Sequence, residues 1–267
     1  MIKKHLCTCM VVLVTLVLSK MFLYSTPVKH QVKNTIPTST ISATNKTNNK
    51  SKKSKLFESL NFANEYLPIG DKRIEQKVAR SLKAHSFERL KTHKLHKNAK
   101  AWFPIIEPIL KQYGIPEDFK YLPLVESGLI QGNSHRGAAG LWQFMPATAK
   151  AFGLVVGSEV DDRLDVKKST IAACKYLKVL YADFNNWTLV AAAYNTGGGS
   201  LRKSIRNQNQ EDYYKLKLNK ETANYVYKLI STKEIIENPS IYGYKGEKQD
   251  TKLALENLDA DESANKL

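Results

Sequence analysis

The chain has 267 residues, of which 42% are hydrophobic, which is enough for one generous domain or two small ones and excludes a wholly disordered protein. Lys and Arg outnumber Asp and Glu by 41 to 25, but residues 1–55 contain ten lysines and no acidic residue, which leaves 31 basic against 25 acidic residues in the remainder. Because most of the positive charge lies outside the candidate globular part, the composition argues against a nucleic-acid-binding protein.

The first 25 residues have the layout of a secretory signal. Lys3 and Lys4 precede an apolar run from Leu6 to Leu18, and Lys20 interrupts the run. No clean A-x-A cleavage site follows, so residues 1–25 are predicted to be either a signal peptide or a membrane anchor. Both alternatives predict export to the cell envelope, the periplasm, with membrane association through the N-terminus if the segment is retained.

Two further segments are predicted to lie outside any folded domain. Residues 26–55 are rich in Ser, Thr, Asn and Lys and contain no aromatic residue, so they are predicted to form a disordered basic linker. As a flexible coil, such a linker spans on the order of 30 Å. Residues 245–267 are predicted to be a polar C-terminal tail, too short and too polar for another domain.

Between these segments the apolar periodicity is helical. It predicts an N-terminal helical segment at 56–97, followed by a helical domain at 98–244. Helices are predicted near 73–92, 98–113, 117–127, 141–152, 168–184, 187–195 and 221–237. Helix stops are predicted at Gly114, Gly128, Gly153 and Gly197–Gly199. No convincing pair of period-2 strands joined by a hairpin turn is visible, so the fold class is predicted to be mainly α.

The stretch FKYLPLVESG places a carboxylate on an apolar helix face. The positions seven, four and three residues before Glu126 are held by Phe119, Leu122 and Pro123. A carboxylate held against apolar surface resists ionisation, so the pKa of Glu126 is expected to rise from about 4.3 toward neutrality, as a general acid requires. Pro123 predicts a kink just before Glu126. From these residues alone, a helix-end Glu that only caps or reaches solvent is an equal alternative.

The segment HRGAAGLWQFMPATAKAFG is predicted to form one wall of a ligand site. The small residues at 137–140, and Gly140 among them, remove side-chain bulk where the backbone could approach a ligand closely. Phe144 and Met145 would supply apolar walls, and Gln143 is the polar member between them. Taken alone, the segment is equally compatible with a tight loop that enters a core helix.

Two later segments add polar and aromatic candidates. In WTLVAAAYNTGGGS, Tyr194 and Asn195 stand at a helix end, where ring stacking and amide hydrogen bonds would suit a sugar. The alternative is a core tyrosine beside a helix-terminal Asn. In LNKETANYVYKLI, Asn219 is predicted to be an N-cap, Glu221 lies in the first turn and Tyr225 lies one turn further on.

The segments VESG, GAAGLWQFMPATA, AAAYNTGGG and ETANYV occur in the order and spacing of the lytic murein transglycosylases of the soluble-lytic-transglycosylase (SLT) type. The resemblance runs from about Phe62 to about Tyr244. It implies a mainly α, lysozyme-like fold and an enzyme that cleaves the β-1,4 bond between N-acetylmuramic acid and N-acetylglucosamine of peptidoglycan, leaving a 1,6-anhydromuramoyl end. No LysM glycan-binding module is expected in the tail.

Carried over residue by residue, the resemblance implies that Glu126 is the single catalytic acid/base and that Tyr225 is its hydrogen-bond partner. Assistance by the substrate would replace a second protein carboxylate. The implied substrate-binding positions are Ser127, Gly140, Gln143, Phe144, Met145, Tyr194, Asn195 and Tyr225. The expected partner is peptidoglycan glycan strands, acted on by a monomer without a cofactor, a metal or nucleic acid.

Other assignments remain open at this point. A goose-type lysozyme-like hydrolase would release reducing ends, and a catalytically silent glycan-binding protein would not need Glu126. A two-carboxylate glycosidase would need a second acidic group, for which the candidates are Asp161, Asp162 and Asp165. These three residues are instead interpreted as a loop with a helix N-cap at Asp165 or Ser169. His93 and His96 are interpreted as part of a solvated helix face, and Cys174 as a small buried hydrophobic residue.

Overall fold

The computed structural model describes residues 57–68, 70–91 and 93–244, which fall in one compact unit. The predictions for residues 1–25, 26–55 and 245–267 lie outside the described residues. Two short strands are β1 (Asn61–Phe62) and β2 (Glu65–Tyr66). The helices are α1 (Lys72–His85), α2 (Phe87–Leu90), α3 (Lys94–Gln112), α4 (Leu122–Ser127), α5 (Pro146–Ala151), α6 (Val166–Phe184), α7 (Trp187–Thr196), α8 (Gly198–Gln208) and α9 (Thr222–Glu237). Turns of 3₁₀ helix occur at Glu117–Tyr121, Asp162–Leu164 and Pro239–Tyr242.

The predicted mainly α class is confirmed, with one small exception. Strands β1 and β2 form an antiparallel hairpin in which Asn61 pairs with Tyr66 and Phe62 with Glu65. Ala63 and Asn64 have φ values of 53° and 63°, the left-handed pair that a tight two-residue hairpin requires. The hairpin was missed because strands of two residues are too short to show an alternating pattern.

The segment before Glu126 is divided where its proline stands. The predicted helix at 117–127 is a 3₁₀ turn up to Tyr121, followed by the α-helix α4 from Leu122. Pro123 occupies the first turn of α4, where its missing N–H leaves no intrahelical bond unmade. The expected irregularity is therefore a change of helix type, which starts a new helix just ahead of the carboxylate.

Three other helix predictions need correction. The helix predicted at 141–152 covers only α5, because residues 139 and 144 pair as an isolated β-bridge. The helix predicted at 73–92 is broken at Ser86, which is extended between α1 and α2. The stop predicted at Gly197–Gly199 is confirmed at Gly197, which ends α7 with a φ of 86°, but α8, which begins at the next residue, was not predicted.

The boundary predicted between 56–97 and 98–244 falls inside α3, which runs from Lys94 to Gln112. The hairpin is also tied to later elements. The Glu65 carboxylate accepts hydrogen bonds from the backbone N–H groups of Trp187 and Thr188, at 2.6 and 2.8 Å, where it caps α7 from outside its own sequence. Asp118 accepts from the Ala63 N–H and the Lys233 ammonium, both at 2.7 Å.

The core lies between α3, α6, α7 and α9, with α1 packed on α9. Cys174 is buried and free in this core, as predicted, and burial raises the pKa of its thiol to about 12, so it is a packing residue rather than a reactive one. Within the described ranges, none of the helices combines the length and the apolarity needed to cross a bilayer.

Candidate active site

Glu126 lies one residue before the end of α4, which Gly128 closes with a left-handed φ of 64°. Its side chain is partly exposed, and its pKa is raised above the ordinary value, chiefly by burial and also by the negative charge of Glu221. The Tyr225 hydroxyl and the Lys228 ammonium act in the opposite direction on the pKa. The predicted upward shift is therefore confirmed in direction and in its main physical cause.

Tyr225 provides the direct contact to Glu126. Its side chain is 2% exposed in α9, and its hydroxyl donates a hydrogen bond to Oε1 of Glu126. Burial and the adjacent Glu126 charge raise the pKa of Tyr225, so this phenol keeps its proton and acts as the donor. The contact joins two residues that are 99 positions apart in the sequence.

Ser127 connects α4 with the loop that follows. Its hydroxyl lies 3.0 Å from the Pro123 carbonyl oxygen and 2.9 Å from the Leu141 carbonyl oxygen, and these two acceptors share its proton. Next to it, the Asn98 amide donates to the Gly128 carbonyl oxygen at 2.8 Å and so holds the end of α4 against α3. Asn98 was not predicted, because nothing in its local pattern distinguishes it from other polar helix residues.

The backbone at position 140 requires a glycine. Its φ is 76°, and a Cβ at this position would overlap the carbonyl oxygen of Arg163. The close approach that the sequence predicted at Gly140 is therefore one to the backbone of this same chain. Gly140 is buried, and its carbonyl oxygen accepts a hydrogen bond at 2.8 Å from the side-chain amide of Gln143, which has a left-handed φ of 47°.

The other two residues of this wall differ in exposure. Phe144 is buried at 2% exposure, with its ring centroid 6.3 Å from that of Tyr194 and 6.5 Å from that of Tyr176. Met145 is 46% exposed, directly before α5. Met145 is therefore the member that presents apolar surface outward, while Phe144 supports the wall from inside.

Arg163 is a supporting residue that the sequence reasoning missed. Its guanidinium is buried and donates to the carbonyl oxygens of Gly137 and Phe144, at 2.7 and 3.0 Å, which holds both ends of the 137–144 loop. Asp161 neutralises it through an ion pair of 2.7 Å. The available signal was the acidic context of DDRLD, in which a single arginine stands among three aspartates.

The Asp cluster has the structural role that was predicted for it. Asp165 caps α6 by accepting from the Lys168 N–H at 2.9 Å, as expected for an N-cap. The hydrogen bonds from Arg163 lower the pKa of Asp161, and the Lys168 ammonium lowers the pKa of Asp162. These carboxylates are held ionised by their own partners, in contrast with Glu126.

Tyr194 and Asn195 lie at the C-terminal end of α7. The Tyr194 hydroxyl donates to the Trp142 carbonyl oxygen at 2.7 Å. Burial is the main cause that raises the pKa of Tyr194, and the negative charge of Glu126 is the second, so the two side chains interact electrostatically. The Asn195 amide donates to Oε1 of Glu221 at 3.1 Å and its carbonyl oxygen accepts from the Thr222 hydroxyl at 2.8 Å. Asn219 was predicted to be the N-cap, but the N-cap residue of α9 is Glu221; Asn219 lies two residues earlier and accepts from the Thr222 N–H at 2.9 Å.

The two histidines lie in an aromatic corner and not on a fully solvated face. The rings of His93 and His96 have centroids 5.6 and 4.3 Å from that of Tyr244, and Phe87 completes the group. Burial lowers the pKa of His96. The interpretation as a solvated helix face is therefore corrected.

The position of the candidate site follows from its titratable groups and not from the surface cavity. A surface cavity of about 670 Å³ on the outer side of α3, lined by Pro104, Glu107 and Lys111 among others, contains none of the predicted site residues. Its rim includes Glu117, whose pKa is lowered by Lys120. Glu126 is the predicted site carboxyl group whose pKa is raised by burial, so we place the candidate site there.

Comparison with known proteins finds a curated relative of part of this chain. Membrane-bound lytic murein transglycosylase D of Escherichia coli (strain K12) is 34% identical over 152 residues, which cover 55% of this chain and 34% of that protein. The chain thus spans about a third of the length of this relative.

Two solved structures are more distant. The 70 kDa soluble lytic transglycosylase of Escherichia coli superimposes with a TM-score of 0.45 at 21% identity, covering 70% of this chain and 32% of that one. Lytic transglycosylase Slt of Pseudomonas aeruginosa has a TM-score of 0.44 at 22% identity, covering 64% and 31%. At these scores the two likenesses carry no argument about the site.

The family match covers the elements that carry Glu126, the 137–144 loop and the end of α7. Residues 103–217 match the Transglycosylase SLT domain; this range contains the first three of the four ordered motifs, and the fourth, ETANYV, lies just beyond it. Over these residues the chain is therefore similar to the transglycosylase SLT domain.

Proposed function

We propose that this protein is a peptidoglycan lytic transglycosylase, which cleaves the β-1,4 bond between N-acetylmuramic acid and N-acetylglucosamine and forms a 1,6-anhydromuramoyl end. The observation that carries the proposal is Glu126, a carboxyl group with a raised pKa, hydrogen-bonded to Tyr225 within an SLT domain. The name of the Escherichia coli relative, a lytic murein transglycosylase, supports the same substrate.

In the first step Glu126 acts as a general acid. Burial raises the pKa of the carboxyl and so favours its protonated form, and its proton passes to the glycosidic oxygen as the bond from that oxygen to C1 breaks. The carbonyl oxygen of the 2-acetamido group of the muramic residue stabilises the positive charge that develops at C1. This assistance by the substrate takes the place of a second protein carboxylate.

In the second step Glu126 acts as a general base. The carboxylate left by the first step accepts the proton of the C6 hydroxyl while the oxygen of that hydroxyl bonds to C1. Because the attacking group belongs to the same sugar, its effective concentration exceeds that of water when the site holds the ring correctly. The proton is returned to Glu126, no water is consumed, and the product ends in an anhydro sugar.

The substrate would be held by the residues gathered around Glu126. Within this proposal Asn195 supplies an amide and Met145 an exposed apolar surface, while Tyr194, Phe144 and Ser127 shape the site from the inner side. Gly140 and Gln143 maintain the loop between them. We further propose export to the cell envelope, with residues 1–25 as signal or anchor, 26–55 as linker and 245–267 as tail, and a monomeric enzyme.

Isotope labelling of the products tests the reaction class. Purified protein is incubated with peptidoglycan sacculi in H₂¹⁸O, and the products are analysed by mass spectrometry. We expect anhydromuropeptides without ¹⁸O, because the C6 oxygen of the sugar closes the ring. Reducing muropeptides that carry ¹⁸O would instead assign a goose-type lysozyme-like hydrolase, and a hydrolytic lysozyme on the same sacculi is the positive control for incorporation.

Replacement of Tyr225 by Phe is expected to reduce kcat by about tenfold or more, because the Glu126 carboxylate formed in the first step loses its hydrogen bond from the phenol. The Tyr225 hydroxyl favours the ionised form of Glu126, so its removal raises the pKa of Glu126 further. Glu126 then keeps its proton to higher pH, and the alkaline limb of the kcat/KM profile shifts to higher pH. Tyr227→Phe, a buried tyrosine of the same helix, is the control that should leave the profile in place. An unchanged profile in Tyr225→Phe would contradict the assigned contact.

A further inference from the structure

The Asn195 carboxamide is held at both of its polar atoms. Its Nδ2 donates to Oε1 of Glu221 at 3.1 Å, and its Oδ1 accepts from the Thr222 hydroxyl at 2.8 Å. The Thr222 oxygen in turn accepts from Nδ2 of Asn219 at 2.9 Å. A continuous chain of hydrogen bonds therefore runs from Asn219 through Thr222 and Asn195 to Glu221.

The chemistry of the end group determines the direction of this chain. An ionised carboxylate accepts hydrogen bonds and cannot donate, so the side of Asn195 that faces Glu221 must be its NH₂ group. The Asn195 oxygen must then face Thr222, whose hydroxyl has to donate to it. The hydroxyl oxygen is left to accept from Asn219, so all three hydrogen bonds point toward Glu221.

The two groups that hold Asn195 differ in their access to a ligand. Thr222 is 1% exposed, so it can act on a bound substrate only through Asn195, whereas Glu221 is exposed. With both contacts made, Asn195 retains one N–H and one lone pair of its oxygen for a ligand. Glu221 also stands four residues before Tyr225, so the start of α9 supports Asn195 and Glu126 from neighbouring positions on one helix face.

We infer that Thr222 and Glu221 are positioning residues that fix the orientation of the Asn195 carboxamide toward the bound glycan. The inference rests on the proposed function, because it assigns the preparation of one substrate contact of that same site. The Thr222 hydroxyl donates to the Asn195 oxygen, and the Glu221 carboxylate accepts from the Asn195 nitrogen. Neither residue is required to contact the reacting atoms.

Kinetics of a matched pair at Thr222 test the first part. Thr222→Val keeps the shape and removes the donor, so the Asn195 oxygen loses its partner and the amide can rotate. We expect KM for sacculi or purified glycan strands to rise about tenfold in Thr222→Val, with kcat changed less than threefold. Thr222→Ser should restore KM to within about twofold of wild type. Equal KM values in wild type and Thr222→Val, or equal impairment in Val and Ser, would overturn the role of the hydroxyl.

Glu221→Gln is the second variant, because an exposed position allows the change without disturbing the fold. Gln can donate as well as accept, so the Asn195 amide is no longer held in one orientation and KM should rise as in Thr222→Val.

The pH profile gives a second readout of Glu221→Gln. The groups electrostatically coupled to Glu126 are Tyr225 and Lys228 of α9, Glu221 at its N-cap, and Tyr194 of α7. Loss of the Glu221 charge removes one influence that raises the Glu126 pKa, so the alkaline limb should shift to lower pH, opposite to Tyr225→Phe. Glu211→Gln, another exposed acid, is the control, and an unmoved profile with an unmoved KM in Glu221→Gln overturns the role of Glu221.

A nuclear magnetic resonance measurement separates this inference from the proposed function. The side-chain amide protons of Asn195, assigned by their absence in Asn195→Asp, are expected to exchange slowly with solvent in wild type and Thr222→Ser. They should exchange at least several times faster in Thr222→Val and Glu221→Gln. This readout needs no substrate, so slow exchange in a protein that yields no anhydro product would reject the reaction and retain the orientation. Equal exchange in all four proteins would reject the orientation itself.

Discussion

Glu126→Gln is expected to reduce the release of soluble anhydromuropeptides from purified sacculi by about 10²- to 10⁴-fold, the range typical for loss of a positioned general acid and base. The amide can accept the hydrogen bond from Tyr225 through its oxygen, so the packing around α4 should persist. It can neither deliver a proton to the glycosidic oxygen nor take one from the C6 hydroxyl, so both steps are blocked. The measurement is the rate of product release at saturating substrate.

Glu117→Gln serves as the matched control for this variant. Glu117 lies on the turn that leads into α4, its side chain is 68% exposed, and its partner is Lys120. The same chemical change at that position should leave the rate within about twofold of wild type. If Glu126→Gln retained activity within tenfold of wild type while its thermal unfolding was unchanged, the assignment of Glu126 as acid and base would be lost. In that event a glycan-binding protein that does no chemistry would become the better description.

Gly140→Ala is expected to lower the free energy of unfolding by about 3 kcal/mol or more, which is near the upper end for a single substitution. Two physical effects add at this position. The backbone has a φ of 76°, which disfavours any side chain, and the new Cβ would overlap the carbonyl oxygen of Arg163, which cannot move without disturbing the buried Arg163–Asp161 pair. Equilibrium denaturation in urea measures the loss.

Gly137→Ala separates the two effects. Gly137 has a φ of 85°, but a Cβ there meets no described atom within 4 Å. It should therefore show the conformational penalty alone, about 1 to 2 kcal/mol. The difference between the two variants isolates the close approach of residues 140 and 163. Equal destabilisation by both would mean that this approach does not constrain the loop.

The local sequence pattern was sufficient to predict the role of a side chain wherever that role depends on the helix that carries it. The apolar residues three, four and seven positions before Glu126 placed that carboxylate against apolar surface and predicted the direction of its pKa shift. Asp165 as a helix cap, Cys174 as a buried core residue and the mainly α class follow from the same kind of information. The resemblance to SLT transglycosylases added the pairing of Glu126 with Tyr225, which no helical period could indicate across 99 residues.

The tertiary structure alone decided the contacts between distant segments. The Gly140 backbone meets Arg163, Asn195 meets Thr222 and Glu221, and Glu65 caps a helix that begins more than a hundred residues later. Hydrogen bonds of this kind depend on how helices pack and where loops cross. The spacing of residues along the chain carries no information on either, because many sequences satisfy the same local pattern. The sequence by itself thus indicated an acidic side chain on an apolar helix face, while the packing of α9 on α4 and α7 determined which groups hold it and its neighbours in place.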